Sequence, residues 1–452
     1  MKKLLVLLIT MLAMAACATG QPVTPQVAET FEISQLEDIT LTISSPSEWL
    51  GLEHFARMYM DKNPGVTIEL NTWDGDFMRY HEQKSLTLMA GTADDLMDSS
   101  GFDIRDPSTQ ALLADWFPVM RADPNFNDDN FFVNVFEAMA ENGRLYNLPT
   151  AFYPTRIAYN TTIPGLSAEM DGRRTLTLTE MHAIHRAFAP ENIFIHDSYD
   201  LLSAIGWNIH KFVDFENRTA SFNSPAFIDF ITEVKALTHP DQNLGWLISR
   251  TYYDPELMAE NSHKYLFQQQ FTGDPFQFLI PFEEKMTFHG SIPKANERGE
   301  VLIQGFPSYV LNGRTSPEVR AVAWDFMSFI LNPAQYKEPD FDAGFFAWVS
   351  MVPVSRPLLR FGLERQLPGW IRHLNESYGW RPVFDEDETL EYVYNLLSEL
   401  GNMPLAHRVY TTDVVSGIIH EVLRQFHEGL ITAEQAAEDL QNGVTLALME
   451  IG

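Results

Sequence analysis

From residue 39 onward the sequence switches back and forth between strand-like alternation and helical spacing. Residues 39–44 (ITLTIS) alternate and are β-branched, which predicts a strand. Over 48–62, Leu52, Phe55, Met58 and Tyr59 recur at helical spacing, and Asn63-Pro64-Gly65 ends the run. A second strand follows at 66–71 (VTIELN), then a second helix over 77–90 closed by Gly91. Strand, helix, strand, helix is the order of a parallel sheet, whose neighbours need crossover helices to return to the same end. The chain thus opens an α/β lobe.

At 452 residues it can form two or three domain-sized units or one large two-lobed body. With 45% hydrophobic and 20% charged residues, it has too much apolar surface to remain disordered. Asp and Glu outnumber Lys and Arg by 61 to 31, a formal charge of −30, which repels phosphate backbones and argues against a nucleic-acid partner. The single cysteine excludes an intrachain disulfide and a multi-cysteine zinc site.

That cysteine closes the amino-terminal segment MKKLLVLLITMLAMAAC. Lys2 and Lys3 precede an uncharged run from Leu4 to Ala16, shorter than the roughly 20 residues of a membrane span but suited to a signal peptide. Ala15-Ala16-Cys17 resembles a bacterial lipobox, with Met14 departing from its usual aliphatic residue. The expectation is a signal peptide over 1–16, lipidation at Cys17, and a flexible tether over 17–36, rich in Thr, Pro and Gln. An ordinary secretory signal with an incidental cysteine is the alternative.

Two later helices open with Ser-Pro, a cap followed by proline in the first turn: Ser224-Pro225, and Ser316-Pro317 ended by Asn332-Pro333. Thr432-Ala-Glu-Gln435 is a capping box. Residues 143–160 (GRLYNLPTAFYPTRIAYN) read as two extended runs broken at Pro149 and Pro154.

Four segments in order resemble the extracellular solute-binding proteins of ABC importers, in the maltose-binding-like, sugar-carrying group: LTLMAGTADDLMD, GRLYNLPTAFYPTRIAYN, VLIQGFPSYVLNGRTSPEVRAVAWDFMSFILNP and LITAEQAAEDLQNGVTLAL. Asp94 stands where that family prefers proline, and 362–402 matches nothing in its pattern. The resemblance implies a two-lobed α/β fold, each lobe a mostly parallel sheet flanked by helices, with a ligand cleft between. Lobe I is expected from 37–150 plus 300–342 and lobe II from 151–299 plus 343–452. Its function would be to capture a carbohydrate, an oligosaccharide in the leading expectation, and deliver it as a monomer to a membrane permease, the protein being anchored outside the cell by its lipid. Neither cofactor nor metal is implied.

No catalytic signature is present: Gly-x-Ser-x-Gly, His-Glu-x-x-His, a Walker loop and Gly-x-Gly-x-x-Gly are all missing. His182 and His185 lie three apart on an expected helix and read as surface histidines, there being no third ligand in evidence. Asp385-Glu-Asp387-Glu reads as a solvated helix start, since a calcium loop would need glycine and glutamate where Leu390 and Leu396 stand. Tyr252-Tyr253 resembles the ligands of ferric carriers but lacks an evident partner histidine.

A sugar offers a C–H face for an aromatic plate and hydroxyls for carboxylates and amides, met on loops at the carboxyl ends of strands. Trp73 and Asp74 follow the second strand and Trp49 follows the first, so all three are candidates. The resemblance adds Phe102 and Asp103 after the third strand, Tyr153 in the crossing between lobes, and Phe271 and Trp348 in the distal lobe. Trp324 falls among the apolar positions of its helix and reads as structural. Two other readings stay open: an exported glycoside hydrolase, and a non-sugar binder or sensor of the same fold.

Overall fold

The computed structural model describes residues 32–46, 51–73, 77–189, 193–196, 201–215, 217–238, 264–271, 288–337, 351–378, 386–407 and 413–450. β1 (Ile39–Pro46) and β2 (Val66–Trp73) pair in parallel from Ile39↔Val66 to Pro46↔Trp73, and β3 (Leu96–Asp98) pairs in parallel on the other side of β1. Both long strands run two residues past the stretch that alternation marks, so Trp73 ends β2 instead of opening the loop. Helix α1 (Leu52–Lys62) begins later than expected because Gly51 sits in the left-handed region at φ 54°, which a continuous helix cannot pass through; 47–50 lie outside the described residues. Helix α2 (Phe77–Ala90) ends as read, on Gly91 at φ 74°. The amides of Gly91 and Thr92 return to the carbonyls of Leu88 and Thr87, a double bond pattern that satisfies the helix end.

Among the described residues the first sheet has six strands in the order β2-β1-β3-β14-β4, with β5 (Asn147–Pro149) also on β14. β14 (Ser308–Asn312) runs antiparallel to β3 and β4 (Leu113–Ala114). Asp95 ties these elements together. Its carboxylate accepts the Thr42 amide at 3.1 Å and hydroxyl at 2.8 Å, and the Thr315 hydroxyl at 2.9 Å. The neighbouring Asp94 accepts the Asn71 amide at 2.8 Å, a bond that the proline usual in the resembling family could not make.

Among the described residues the second sheet has eight strands, six of them in the order β16-β13-β12-β6-β11-β8. They are β6 (Ala151–Asn160), β8 (Phe194–His196), β11 (Tyr265–Phe271), β12 (Phe288–Ala295), β13 (Val301–Gly305) and β16 (Leu405–His407), with β7 (Leu176–Thr177) on β12 and β15 (Val352–Pro353) on β6. β9 (Val213–Asp214) and β10 (Thr219–Ala220) form a separate pair. Pro154 does not break β6. It sits where the strand changes partners, from β13 and β15 over 151–154 to β11 and β12 from Thr155 onward, a handover at which a missing N–H costs little.

The chain passes between the sheets at Thr150 and again at Phe306-Pro307, and the two passages are bonded: the Thr150 amide and hydroxyl both reach the Pro307 carbonyl at 2.9 Å. A third segment joins them through the Val354 amide to the Thr150 carbonyl at 3.1 Å.

Two cores are packed, the first built on the first sheet but also taking Phe152, Val301, Ile303 and Val352 from strands of the second sheet. Leu41, Ile43, Phe55, Leu96, Trp116, Tyr309 and Phe326 belong to the first, and Ile157, Trp207, Phe227, Phe267 and Val444 to the second. Trp324 is buried in the first core and donates its Nε1–H to Asp123 at 3.0 Å. Helices Arg356–Tyr378, with Pro368 inside, and Glu386–Ser398 fall largely in the stretch without a sequence pattern, and their Leu358, Leu359, Leu363, Val393 and Leu397 pack in the first core. The helices Asp413–His427 and Ala433–Glu450 pack in the second.

Candidate functional site

Four strand ends meet along one edge of the first sheet. β1 ends in Ser44-Ser45-Pro46, β2 in Trp73 and β3 in Asp98, while β14 enters from the opposite direction at Ser308-Tyr309. Carboxyl ends of parallel strands gather polar groups because the chain must leave the sheet there, and ligands of open α/β sheets bind outside them. Ser45, Asp98, Ser308 and Tyr309 are all buried. Of these, the Ser45 and Tyr309 hydroxyls face each other, while the Ser308 hydroxyl and the Trp73 Nε1–H have no hydrogen-bond partner among the described residues. A buried polar atom left unbonded costs about 1–3 kcal/mol, so the Ser308 hydroxyl and Trp73 Nε1–H on this edge make it a candidate place for a ligand or water. Burial raises the Tyr309 phenol above its ordinary range, so it stays a neutral donor.

Helix α2 covers this edge. Tyr80, Lys84 and Leu88 are four apart and share its buried face, an apolar stripe with a cation in its middle. Lys84 Nζ donates to Asp98 Oδ2 at 2.9 Å, to the Asp98 carbonyl at 2.8 Å and to the Ser100 carbonyl at 2.6 Å, which uses all three of its protons. Tyr80 donates to the same carboxylate oxygen, and Ser100 donates to the other through its amide at 3.0 Å and its hydroxyl. Burial pulls the Lys84 ammonium down to about 8 and outweighs the opposing pull of Asp98. The ammonium also lies 4.7 Å from the centres of the Tyr80 and Phe102 rings, and Trp73 leans on Tyr80 at 6.0 Å. Trp73, Tyr80, Lys84 and Phe102 thus form one continuous ladder.

The structure brings Trp73 and Phe102 together through this ladder, with both side chains half-buried. One face of Phe102 is taken by Lys84. The Asp103 carboxylate accepts the Arg105 amide at 3.1 Å, shaping the turn after β3. Tyr153 is half-buried on β6, opposite Gln304 of β13, three residues from the Thr150 passage. Phe271 ends β11 opposite Thr155, at that strand's carboxyl end. Cys17, Trp49, Asp74 and Trp348 lie outside the described residues, as do Tyr252, Tyr253 and Asp385. Sequence reasoning missed Lys84, Tyr80, Ser45 and Tyr309. A lysine on the buried stripe Tyr80-Lys84-Leu88 was the available signal.

Elsewhere, the expectation of surface histidines fails at His182, which is buried, with Nδ1 3.1 Å from Glu233 Oε2, because it lies on the inward face of helix Leu178–Phe188. His185 Nε2 meets the Ile193 carbonyl at 2.6 Å. Helix Glu386–Ser398 starts with Asp387 and Glu388 exposed. Among the described residues no cluster of three His, Cys, Asp or Glu side chains could hold a metal, and no helix is long and apolar enough to cross a membrane.

No protein-family model matches the sequence, and no curated protein matches it either. Solved structures do match. An extracellular solute-binding protein family 1 from Alicyclobacillus acidocaldarius superposes with TM-score 0.55 at 13% identity, covering 91% of this chain and 98% of its own. The sugar-binding protein MalE from Xanthomonas citri gives 0.54 at 14%, over 91% and 98%. The cyclic alpha-maltosyl-1,6-maltose binding protein from Arthrobacter globiformis gives 0.52 at 16%, over 91% and 99%. By their names these are binding proteins. At such low identity the likeness speaks for architecture, and it spans nearly the whole of both chains: this chain has the two-lobed fold of the maltose-binding-like extracellular solute-binding proteins.

Proposed function

We propose that this protein captures a carbohydrate between two lobes built around the two sheets and delivers it to an ABC transporter permease. It works as a monomer, exported and held to the outer face of the membrane by a lipid on Cys17. The lobe bounds are 37–150 plus 300–342 and 151–299 plus 343–452, except that helices Arg356–Tyr378 and Glu386–Ser398 pack in the first core and go with the first lobe. The observation that supports this reading is the strand edge at Ser45, Trp73, Ser308 and Tyr309: a cluster of buried hydroxyls, with the Ser308 hydroxyl and the Trp73 indole N–H unbonded among the described residues, beside ring faces and with the nearby cation neutralised. Such a surface suits a neutral polyol, whose hydroxyls both donate and accept, better than an anion, which would require an uncommitted positive charge. Trp73, Asp74, Trp49, Phe102 and Asp103 would contribute from the first lobe, and Tyr153, Phe271 and Trp348 from the crossing and the second. Contacts from both lobes are required, because a ligand shifts the open–closed equilibrium only through its differential affinity.

Thermal unfolding against a panel of mono- and oligosaccharides tests the function. A ligand at about 100 times its Kd adds roughly 2.7 kcal/mol and raises the midpoint. A rise with one sugar class and no shorter products supports a carrier. Shorter products would make the protein a glycoside hydrolase, and a flat panel would point to a non-sugar ligand. Trp73→Ala and Tyr153→Ala should each weaken binding by about 1 kcal/mol as lost ring contacts. Unchanged affinity in both removes the site assignment and leaves the fold standing.

A further inference from the structure

The turn that carries Phe102 and Asp103 continues into Arg105, and Arg105 does not stay with the first sheet. Its Nε lies 3.1 Å from Glu141 Oε1, on a segment whose Met139 and Ala140 pack in the first core. Its guanidinium carbon lies 5.6 Å from the centre of the Phe215 ring, and Phe215 packs against the second core. His407, on the edge strand β16 of the second sheet, stands within its electrostatic reach. Burial, and then the Arg105 charge, hold that imidazole down at about 4, so it is neutral at physiological pH and adds no repulsion. Among the described residues, Glu141 and Asp103 are the acids that face the guanidinium. A cation held by a carboxylate of one body and the ring of another fixes their relative position, and a partly desolvated cation–π pair is worth more than an exposed one.

The same turn is anchored at its other end. Lys84 clamps the carbonyls of Asp98 and Ser100, and the Asp103 carboxylate holds the Arg105 amide. A displacement at 102–103 therefore has little slack to be lost in before it reaches Arg105. We propose that Arg105 is a positioning residue that latches the turn after β3 to Phe215, which packs against the second core, so that a ligand touching the 98–106 turn biases how the two lobes sit. The ligand half of this inference rests on the carbohydrate reading above; the latch half does not.

The latch is tested without ligand. Nitroxides at Leu86→Cys on α2 and Leu430→Cys beyond helix Asp413–His427, both well exposed, report the separation of the two bodies in the full chain carrying Cys17→Ser. Arg105→Ala is expected to broaden and lengthen the distance distribution, and Phe215→Leu to do the same. Phe215→Tyr, which keeps the ring face, should restore the parent distribution, and Arg105→Ala with Phe215→Leu should add nothing to either alone. Parent-like distributions in both single variants overturn the latch; should Arg105→Ala fail to fold, the Phe215 pair decides it. With whichever panel sugar raises the midpoint as probe, Arg105→Ala should raise Kd about fivefold, the low end of couplings between sites. A changed distance with unchanged Kd refutes the coupling to ligand while keeping the latch, and a panel without a binding sugar bears on the carbohydrate reading and not on the distances.

Discussion

Lys84 and Asp98 have side chains only 2% and 0% exposed, and the pair stands at the floor of the candidate site. Replacing such a pair with matched apolar residues can be neutral, whereas removing one partner strands the other charge. Lys84→Met should therefore cost about 3–5 kcal/mol in urea unfolding. The low end is expected, because Tyr80 and Ser100 still donate to Asp98. A loss below 1 kcal/mol would mean that the carboxylate is not held as described. Strand position marked Trp73 and the family resemblance marked Phe102, but Lys84 is just one of 31 basic residues until α2 turns it inward. Nothing local distinguishes a buried lysine from a solvated one except its place on an apolar stripe.

At the scale of elements, start signals were the most legible feature. Ser224 and Ser316 accept the amides three residues on, Phe227 and Val319, and Thr432 and Gln435 exchange amide bonds at 3.2 and 2.9 Å. Ser316→Ala should lower stability by about 1 kcal/mol, read as a lower urea midpoint at constant m-value. An unchanged midpoint would show that the Val319 amide finds another acceptor. Helix Arg356–Tyr378 was illegible because Pro368 interrupts its interior, where proline removes a hydrogen bond and ordinarily ends a helix. Its leucines are held by the first core, so packing overrides local preference.

Across the whole molecule, burial first of all lowers the proton affinity of His81, His182, His185, His210 and His407, the last to about 4. The unfolded chain binds these protons near pH 6.5 and the folded chain binds them later, so stability is fully present above that value and falls as pH drops from 6.5 toward 4. Asp94 and Asp325, raised by burial, act the opposite way: their contribution is present below pH 3.8 and fades as pH rises through their folded values, which offsets part of the loss. The thermal midpoint should fall through this window, with His407→Gln recovering on the order of 2 kcal/mol at its lower end. A midpoint independent of pH between 6.5 and 4 would contradict the lowered proton affinity of these histidines.

By itself the sequence determined the α/β class, the strand–helix–strand–helix opening, the helix caps and the turn at Gly91, because each depends on residues within one or two turns of chain. It also marked Trp73 near the carboxyl end of a parallel strand, whereas Phe102 came from the family resemblance. Only the tertiary structure decided that β14, over 200 residues later in the chain, completes the candidate edge with Tyr309 and Ser308. The same holds for Lys84 under Phe102, Arg105 against Phe215, and the packing of helices 356–378 and 386–398 on the first core. These are choices among distant partners. Burial and charge pairing make them only once the sheets have formed, and no spacing along the chain encodes them.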